Sequence, residues 1–236
     1  MEIIQQKDRE KVKILAGNAL NALLANTKNV PTLFLTSGGS ALEILSYVDK
    51  KNLNSHLTIG VLDERFSKDP AVNNFLQLKS TNFYQMAKEA RASFIETVPG
   101  NETLSEFSQR FESLLRKWKK LNPEGKLFIT QGIGVDGHTA GIMPYPENPK
   151  LFQELFEDKL HWVVGYNAKN KNPYPLRATV NLTFLREVVD VSIVYLVGVE
   201  KKPALEKILA KEGTLWQTPG RIVREMKEVK LFTDIF

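Results

Sequence analysis

The chain has 236 residues, of which 42% are hydrophobic and 25% are charged, with 14 Gly, 11 Pro and no Cys. This composition is typical of a globular protein, and the length fits one large domain, which we expect to span residues 1–236. The absence of Cys excludes a thiol nucleophile, an iron–sulfur cluster and a Cys-liganded zinc site, while the net charge of +5 is compatible with an anionic partner.

Neither the apolar stretches nor the basic run of the chain suggests a membrane or a nucleic acid as partner. Residues 1–13 are too rich in charge for a signal peptide, and the most apolar stretch, residues 191–199, is about half as long as a membrane-crossing helix. The basic run 116–120 contains Trp118, but apolar residues recur around it at helical spacing, which indicates the solvated face of a helix. We therefore expect a cytoplasmic protein that binds neither a membrane nor a nucleic acid.

Helix and strand patterns alternate along the chain. Apolar residues three and four positions apart predict a helix over residues 8–26. Short apolar runs followed by glycine or charged residues predict strands at 32–36, 57–62, 127–130 and 191–197, and helical patterns follow at 41–48 and 203–210.

Further elements lie between and after these units. Thr103 and Glu106 have the spacing of a capping box and predict the start of a helix at Leu104. Residues 162–164, 178–180 and 230–233 are rich in strand-forming types. Such alternation predicts an α/β fold with a mostly parallel sheet and helices on both of its faces.

Polar clusters directly follow four of the predicted strands. They are Ser37-Gly38-Gly39-Ser40, Asp63-Glu64-Arg65, Asp136-Gly137-His138 and Glu200-Lys201. Ligands of open α/β sheets bind beyond the carboxyl ends of the strands, so we expect these clusters to meet at one edge of the sheet. The alternative is that they are ordinary polar loops.

The run Ser37-Gly38-Gly39-Ser40 has the composition of an anion cradle at a helix N-terminus. Unpaired backbone N–H groups and the positive end of the helix dipole attract an anion there, and glycine permits close approach to the backbone. A plain turn with a capping Ser is the competing interpretation. The run is not a Walker A loop, because the Gly-Lys-Ser/Thr ending is absent.

The run from Gly132 to Gly137 matches the dinucleotide-binding pattern G-x-G-x-x-G, but Pro144 leaves no room for the helix that this pattern requires. We interpret these glycines as a loop that presents Asp136 and His138. A histidine beside an acid can serve as a general base near neutral pH, and it can equally be structural. No spacing of His residues predicts a metal site.

Taken together, these residues resemble the 6-phosphogluconolactonases and, more distantly, the glucosamine-6-phosphate deaminases of the same family. The segments that carry the resemblance extend over nearly the whole chain: Ser37-Gly38-Gly39-Ser40, Leu62-Asp63-Glu64-Arg65, Asn74, the run from Gly132 to Ala140, Pro175-Leu176-Arg177 and Gly198-Val199-Glu200-Lys201. The chain departs from the family pattern at residues 141–143 and after Trp216. The resemblance implies a Rossmann-like sheet and a sugar-phosphate substrate.

The resemblance also implies a role for each matched residue in the hydrolysis of 6-phospho-D-glucono-1,5-lactone to 6-phosphogluconate, a step of the pentose phosphate pathway. His138 would be the general base that activates water, and Asp136 would orient it. The phosphate would bind to Ser37, Gly38, Gly39, Ser40, Arg65, Arg177 and Lys201. The rest of the substrate would contact Asp63, Asn74, Gly132, Gly134, Gly137 and Thr139. No cofactor and no metal are implied.

Two alternatives to a lactonase differ from it in features that the sequence can show. A deaminase would have an aromatic residue where Arg65 stands and an acid where Met143 stands, just before the proline. A non-catalytic sugar-phosphate sensor would be fused to a DNA-binding module, for which the roughly 30 residues before the first predicted strand leave no room. The sequence does not determine the oligomeric state and is compatible with a monomer.

Overall fold

Ten strands and seven α-helices make up the computed structural model, which describes all 236 residues. The strands are β1 (Glu2–Gln5), β2 (Thr32–Thr36), β3 (Leu57–Val61), β4 (Asp63–Arg65), β5 (Ser93–Phe94), β6 (Lys126–Gly132), β7 (Val163–Asn167), β8 (Leu176–Val180), β9 (Val191–Leu196) and β10 (Glu228–Thr233). The α-helices are α1 (Arg9–Asn26), α2 (Asn74–Lys79), α3 (Asn82–Glu89), α4 (Leu104–Leu121), α5 (Pro149–Phe156), α6 (Leu182–Glu187) and α7 (Lys202–Leu209). None of the helices is long and apolar enough to span a membrane.

Seven strands form one parallel sheet in the order β1-β10-β9-β6-β2-β3-β5. Every residue of β2 and of β9 is buried, as expected for central strands that are covered on both faces. One core cluster has 37 buried residues and the other has 23. The predicted α/β fold with a mostly parallel sheet is confirmed.

A second, three-stranded antiparallel sheet was not predicted. The two strands expected near residues 163 and 179 pair with each other as β7 and β8, outside the main sheet. The segment Asp63–Arg65, expected to be a loop after β3, is itself a strand that pairs with β8 and places Arg65 opposite Arg177. A strand of three polar residues has no apolar alternation, so the sequence gives no signal for it.

Two further elements differ from the prediction. The helix after β2 is a 3₁₀-helix over Gly39–Tyr47, whereas an ordinary helix was expected at residues 41–48. Strand β1 precedes the first helix, where the sequence suggested only that helix. Because β1 lies at the sheet edge and is mostly exposed, it lacks the apolar pattern by which buried strands are recognised.

Two arginines bind the carbonyl groups at the end of α7, where backbone acceptors have no intrahelical donor. The buried guanidinium of Arg221 donates to the carbonyl oxygens of Lys207 and Ala210. We expect Arg221→Ala to lower the free energy of unfolding by about 2 kcal/mol, because charged hydrogen bonds are lost from a water-poor site. Urea denaturation measures this. Arg224→Ala is the control, since Arg224 also binds Ala210 but is exposed, and equal losses in both variants would contradict the argument.

Candidate active site

A cavity of about 220 Å³ opens at the edge of the main sheet where the strands end. Only two of its 15 lining residues are hydrophobic. The lining residues are Ser37, Gly38, Gly39, Ser40, Asp63, Arg65, Asn74, Gly132, Ile133, Gly134, His138, Ala140, Gly141, Arg177 and Lys201. Segments far apart in the sequence therefore meet at one site, as the position of the polar clusters after the strands predicted.

The turn after β2 supplies a stretch of accessible backbone. Residues 38–40 precede the first hydrogen bond of the 3₁₀-helix, so their N–H groups have no acceptor within it. Gly39 has a φ of +66°, in the left-handed region that favours glycine. Gly38 packs against Asn74, and a Cβ at position 38 would overlap the amide oxygen of Asn74. This close packing explains why glycine occupies position 38.

A buried ion pair links β4 and β8 of the small sheet at the floor of the cavity. Nη2 of Arg177 lies 2.6 Å from Oδ2 of Asp63, and their side chains are 3% and 6% exposed. Asn74 donates its amide N–H to the backbone oxygen of Asp63 at 2.8 Å and so lies beside the pair. Pairing of this kind offsets the cost of burying both charges.

Two more cations line the cavity without a carboxylate partner. Nη1 of Arg65 donates to the carbonyl oxygen of Val72 at 3.0 Å, and its guanidinium lies 5.5 Å from the ring centroid of Tyr174. Burial lowers the pKa of Lys201, although the nearby Glu200 opposes this effect. Since Asp63 neutralises Arg177, Arg65 and Lys201 are the two cations of the cavity lining that have no carboxylate partner.

His138 is held in place by Asp136. Oδ1 of Asp136 lies 2.5 Å from the ring Nδ1 of His138 and accepts the backbone N–H of His138 at 3.1 Å. Burial opposes ionisation of Asp136, but these hydrogen bonds outweigh it and lower the pKa of the carboxyl. With Nδ1 bonded to a carboxylate, the tautomer that this pairing favours leaves Nε2 free to accept a proton.

Three of the residues expected at the site do not line the cavity. Asp136 acts on the site only through His138, whose ring it binds. Gly137 packs against Thr218 and accepts the backbone N–H of Gly220 at 2.8 Å. Thr139 is fully buried, and its hydroxyl donates to the end of β6, to the carbonyl oxygen of Gly132 or the side chain of Gln131, so that hydroxyl is not directed to a ligand.

The loop also uses two N–H groups that could have served an oxyanion. The N–H of Gly134 donates to the carbonyl oxygen of His138 at 2.9 Å, and that of Gly137 donates to Gly134 at 3.0 Å. These bonds fix the loop that carries His138. They also leave stabilisation of an oxyanion to other donors of the cavity.

The sequence interpretation missed the two residues that close the cavity beside Asp63. Ala140 and Gly141 both have positive φ, +47° and +71°, and a Cβ at position 141 would lie 2.7 Å from Cβ of Asp63. Tyr166 and Thr179 donate to their carbonyl oxygens and hold the turn. The only sequence signal for this turn is Gly141 itself, since glycine favours a positive φ.

The cavity concentrates polar atoms that lack a partner within the protein. Five buried side-chain atoms have no hydrogen bond, and four of them belong to lining residues: Oγ of Ser37, Nε of Arg65, Oδ1 of Asn74 and Nε of Arg177. A polar group that is buried without a hydrogen bond costs free energy of folding. A cluster of such groups therefore indicates a place where a bound ligand supplies the missing hydrogen bonds. This pattern, together with the excess positive charge, indicates a site for an anionic, hydroxylated ligand.

Comparison with known proteins gives a family and a fold. Residues 9–232 match the family described as glucosamine-6-phosphate isomerases/6-phosphogluconolactonase. A 6-phosphogluconolactonase of Borreliella burgdorferi is 32% identical over 109 residues, which are 46% of this chain and 42% of that protein. The chain thus aligns with less than half the length of this curated relative.

Solved structures of similar proteins cover almost the full chain. A structure titled as a putative 6-phosphogluconolactonase from Neisseria gonorrhoeae has a TM-score of 0.76 at 18% identity and covers 99% of both chains. The 6-phosphogluconolactonase of Trypanosoma brucei has a TM-score of 0.76 at 18% identity, with 98% of this chain and 95% of that chain covered. At this identity the likeness establishes the fold.

Proposed function

The chain belongs to the family of glucosamine-6-phosphate isomerases and 6-phosphogluconolactonases, and we propose that it is a lactonase that hydrolyses 6-phospho-D-glucono-1,5-lactone to 6-phosphogluconate. The observation that carries this proposal is one cavity that is lined by His138, which Asp136 holds in place, and by two cations without a carboxylate partner, Arg65 and Lys201. A phosphate monoester carries a charge of about −1.5 to −2 at pH 7, which these two cations can pair with.

The cavity provides separate places for the two ends of the substrate. The phosphate binds the backbone N–H groups of residues 38–40 and the side chains of Arg65 and Lys201, which donate charge-assisted hydrogen bonds. The free oxygen of Asn74 and the carboxylate of Asp63 accept hydrogen bonds from sugar hydroxyls. Arg177 adds its unpartnered Nε as a donor.

Hydrolysis proceeds by attack of water on the lactone carbonyl. Nε2 of His138 takes a proton from the water as its oxygen bonds to the carbonyl carbon, and the resulting imidazolium is stabilised by the Asp136 carboxylate. The tetrahedral oxyanion then collapses, the bond to the ring oxygen breaks, and that oxygen takes up the proton. No covalent intermediate is needed, because the lactone is an activated ester.

Met143 argues against deamination as the main activity. This side chain is fully buried among hydrophobic residues and has no ionisable group. Ring opening and deamination need an additional acid or base beyond a single histidine, and the position where deaminases carry one is apolar here.

The proposed activity is tested directly with freshly generated 6-phospho-D-glucono-1,5-lactone. Acid release by the purified protein should exceed spontaneous hydrolysis in proportion to enzyme concentration, and glucosamine 6-phosphate should release no ammonia above background. A rate equal to the spontaneous one would rule out the lactonase, and release of ammonia would support the deaminase.

Lys201 offers the cleanest test of the phosphate end, because no carboxylate is bonded to it. We expect Lys201→Ala to raise KM for the phosphorylated lactone by about 10- to 100-fold, since a charge-assisted hydrogen bond is lost, and to change KM for D-glucono-1,5-lactone by less than about twofold. Lys202→Ala, an exposed neighbour, is the control. Equal losses on both lactones would contradict the phosphate role.

The same lysine predicts a pH dependence. Because burial lowers the pKa of Lys201 below the usual 10.5, affinity for 6-phosphogluconate should fall in the alkaline range as the ammonium loses its proton. Calorimetric titration across that range should show the fall in the wild type and a weaker fall in Lys201→Arg, which keeps its charge.

A further inference from the structure

Glu64 lies beneath the cavity and takes no part in the mechanism above. Its side chain is fully buried between two residues of the site, Asp63 and Arg65, yet it does not line the cavity. Oε1 accepts the backbone N–H groups of Arg65 at 2.8 Å and Asn74 at 2.6 Å. Oε2 accepts the N–H of Phe75 and the hydroxyl of Thr97, both at 2.9 Å.

These four bonds connect three separate parts of the chain. Arg65 ends β4, Asn74 and Phe75 begin α2, and Thr97 lies in the segment before α4. The residues between Arg65 and Asn74 form a loop, and Glu64 binds both ends of that loop through a single oxygen. Without an acceptor, these N–H groups would be left unpaired next to buried residues.

The two ends of the loop carry side chains of the site. Arg65 supplies one of the two uncompensated positive charges, and the unpartnered oxygen of Asn74 faces the turn at Gly38. Their separation therefore depends on the carboxyl group that binds both backbones. A shift of about 1 Å in such a pair is enough to weaken a bidentate contact with a ligand.

We propose that Glu64 is a positioning residue that sets the distance between Arg65 and Asn74 and so determines the affinity of the site for a phosphorylated sugar. This role rests on the function proposed above. It requires an acceptor at Oε1 and the full length of the side chain. It does not require a negative charge.

Burial raises the pKa of the Glu64 carboxyl to about 8, against the lowering effect of its four donors. Both protonation states can perform the positioning role. When Oε2 carries a proton, it can donate to the Thr97 hydroxyl, which accepts as well as donates, while Oε1 continues to accept from Arg65 and Asn74.

Three substitutions separate positioning from simple packing. In Glu64→Gln the amide oxygen can replace Oε1, so the contacts with Arg65 and Asn74 survive, and the NH₂ can donate to Thr97, while only the N–H of Phe75 loses its acceptor. Glu64→Met keeps the length and removes every acceptor. Glu64→Asp keeps the carboxylate but is one methylene too short to reach both ends of the loop.

We expect Glu64→Met and Glu64→Asp to raise KM for 6-phospho-D-glucono-1,5-lactone about tenfold while kcat stays within about threefold of the wild type, and Glu64→Gln to keep a nearly wild-type KM. For unphosphorylated D-glucono-1,5-lactone, the rise in KM should be smaller. If Glu64→Met does not fold, Glu64→Asp carries the test, with the dissociation constant of 6-phosphogluconate measured by calorimetry.

The possible outcomes are distinct. An unchanged KM in the folded Met or Asp variant overturns the positioning role, as does a Gln variant as impaired as the Met variant. Equal rises in KM for both lactones indicate a general structural role and also overturn it. A wild type that binds 6-phosphogluconate without hydrolysing the lactone contradicts the proposed function and leaves the binding test of Glu64 valid. A wild type that does neither contradicts both proposals.

Discussion

His138→Ala is expected to lower kcat for 6-phospho-D-glucono-1,5-lactone by about 10²- to 10⁴-fold, the range of a well-placed general base. The ring is about one-third exposed, so its removal leaves no large cavity in the core and should change stability little. KM should stay within about threefold, because the phosphate contacts are made by other residues. Initial rates must be corrected for spontaneous hydrolysis of the lactone.

Two further variants make the result specific. Asp136→Asn keeps the shape of the partner, but its amide can donate to Nδ1 and so favour the tautomer in which Nε2 carries the proton, which should also lower kcat at least tenfold. His56→Ala removes an exposed histidine that precedes β3, at the opposite edge of the sheet, and should leave kcat unchanged. If the His138→Ala variant kept the wild-type kcat, His138 would not be the general base.

The sequence was most informative where burial imposes a simple pattern. Central strands such as β2 and β9 are buried along their whole length, so unbroken apolar runs located them correctly. The helix that starts at Leu104 was placed by its capping box, and the structure shows both reciprocal bonds between Thr103 and Glu106. Burial patterns and helix caps of this kind depend on a few neighbouring residues, so they can be predicted from the sequence.

Contacts between distant segments could not be predicted in this way. Asp63 and Arg177 are 114 residues apart and meet only because β4, a strand without an apolar pattern, pairs with β8 in the small sheet. The sequence resemblance placed both residues at the site and assigned them to different parts of the substrate. It could not indicate that they bind each other, and the consequences of mutation depend on that bond.

Arg177→Met is expected to be the most destabilising of the substitutions considered, lowering the free energy of unfolding by about 3–5 kcal/mol. The loss arises because the Asp63 carboxylate stays buried after its 2.6 Å ion-pair partner has gone, with only the amide of Asn74 nearby. Denaturation in urea at pH 7 measures the change. A loss below about 1 kcal/mol would mean that the pair is not buried as described.

The double variant Asp63→Asn/Arg177→Met separates stability from binding. Removing both charges eliminates the buried unpaired carboxylate, so much of the lost stability should return. The affinity for 6-phosphogluconate should not return, because the unpartnered Nε of Arg177 and the acceptor oxygens of Asp63 are both altered at the cavity floor. If stability and affinity recovered together, the pair would serve the fold alone, and the phosphate end of the site would depend on Arg65, Lys201 and the turn 37–40.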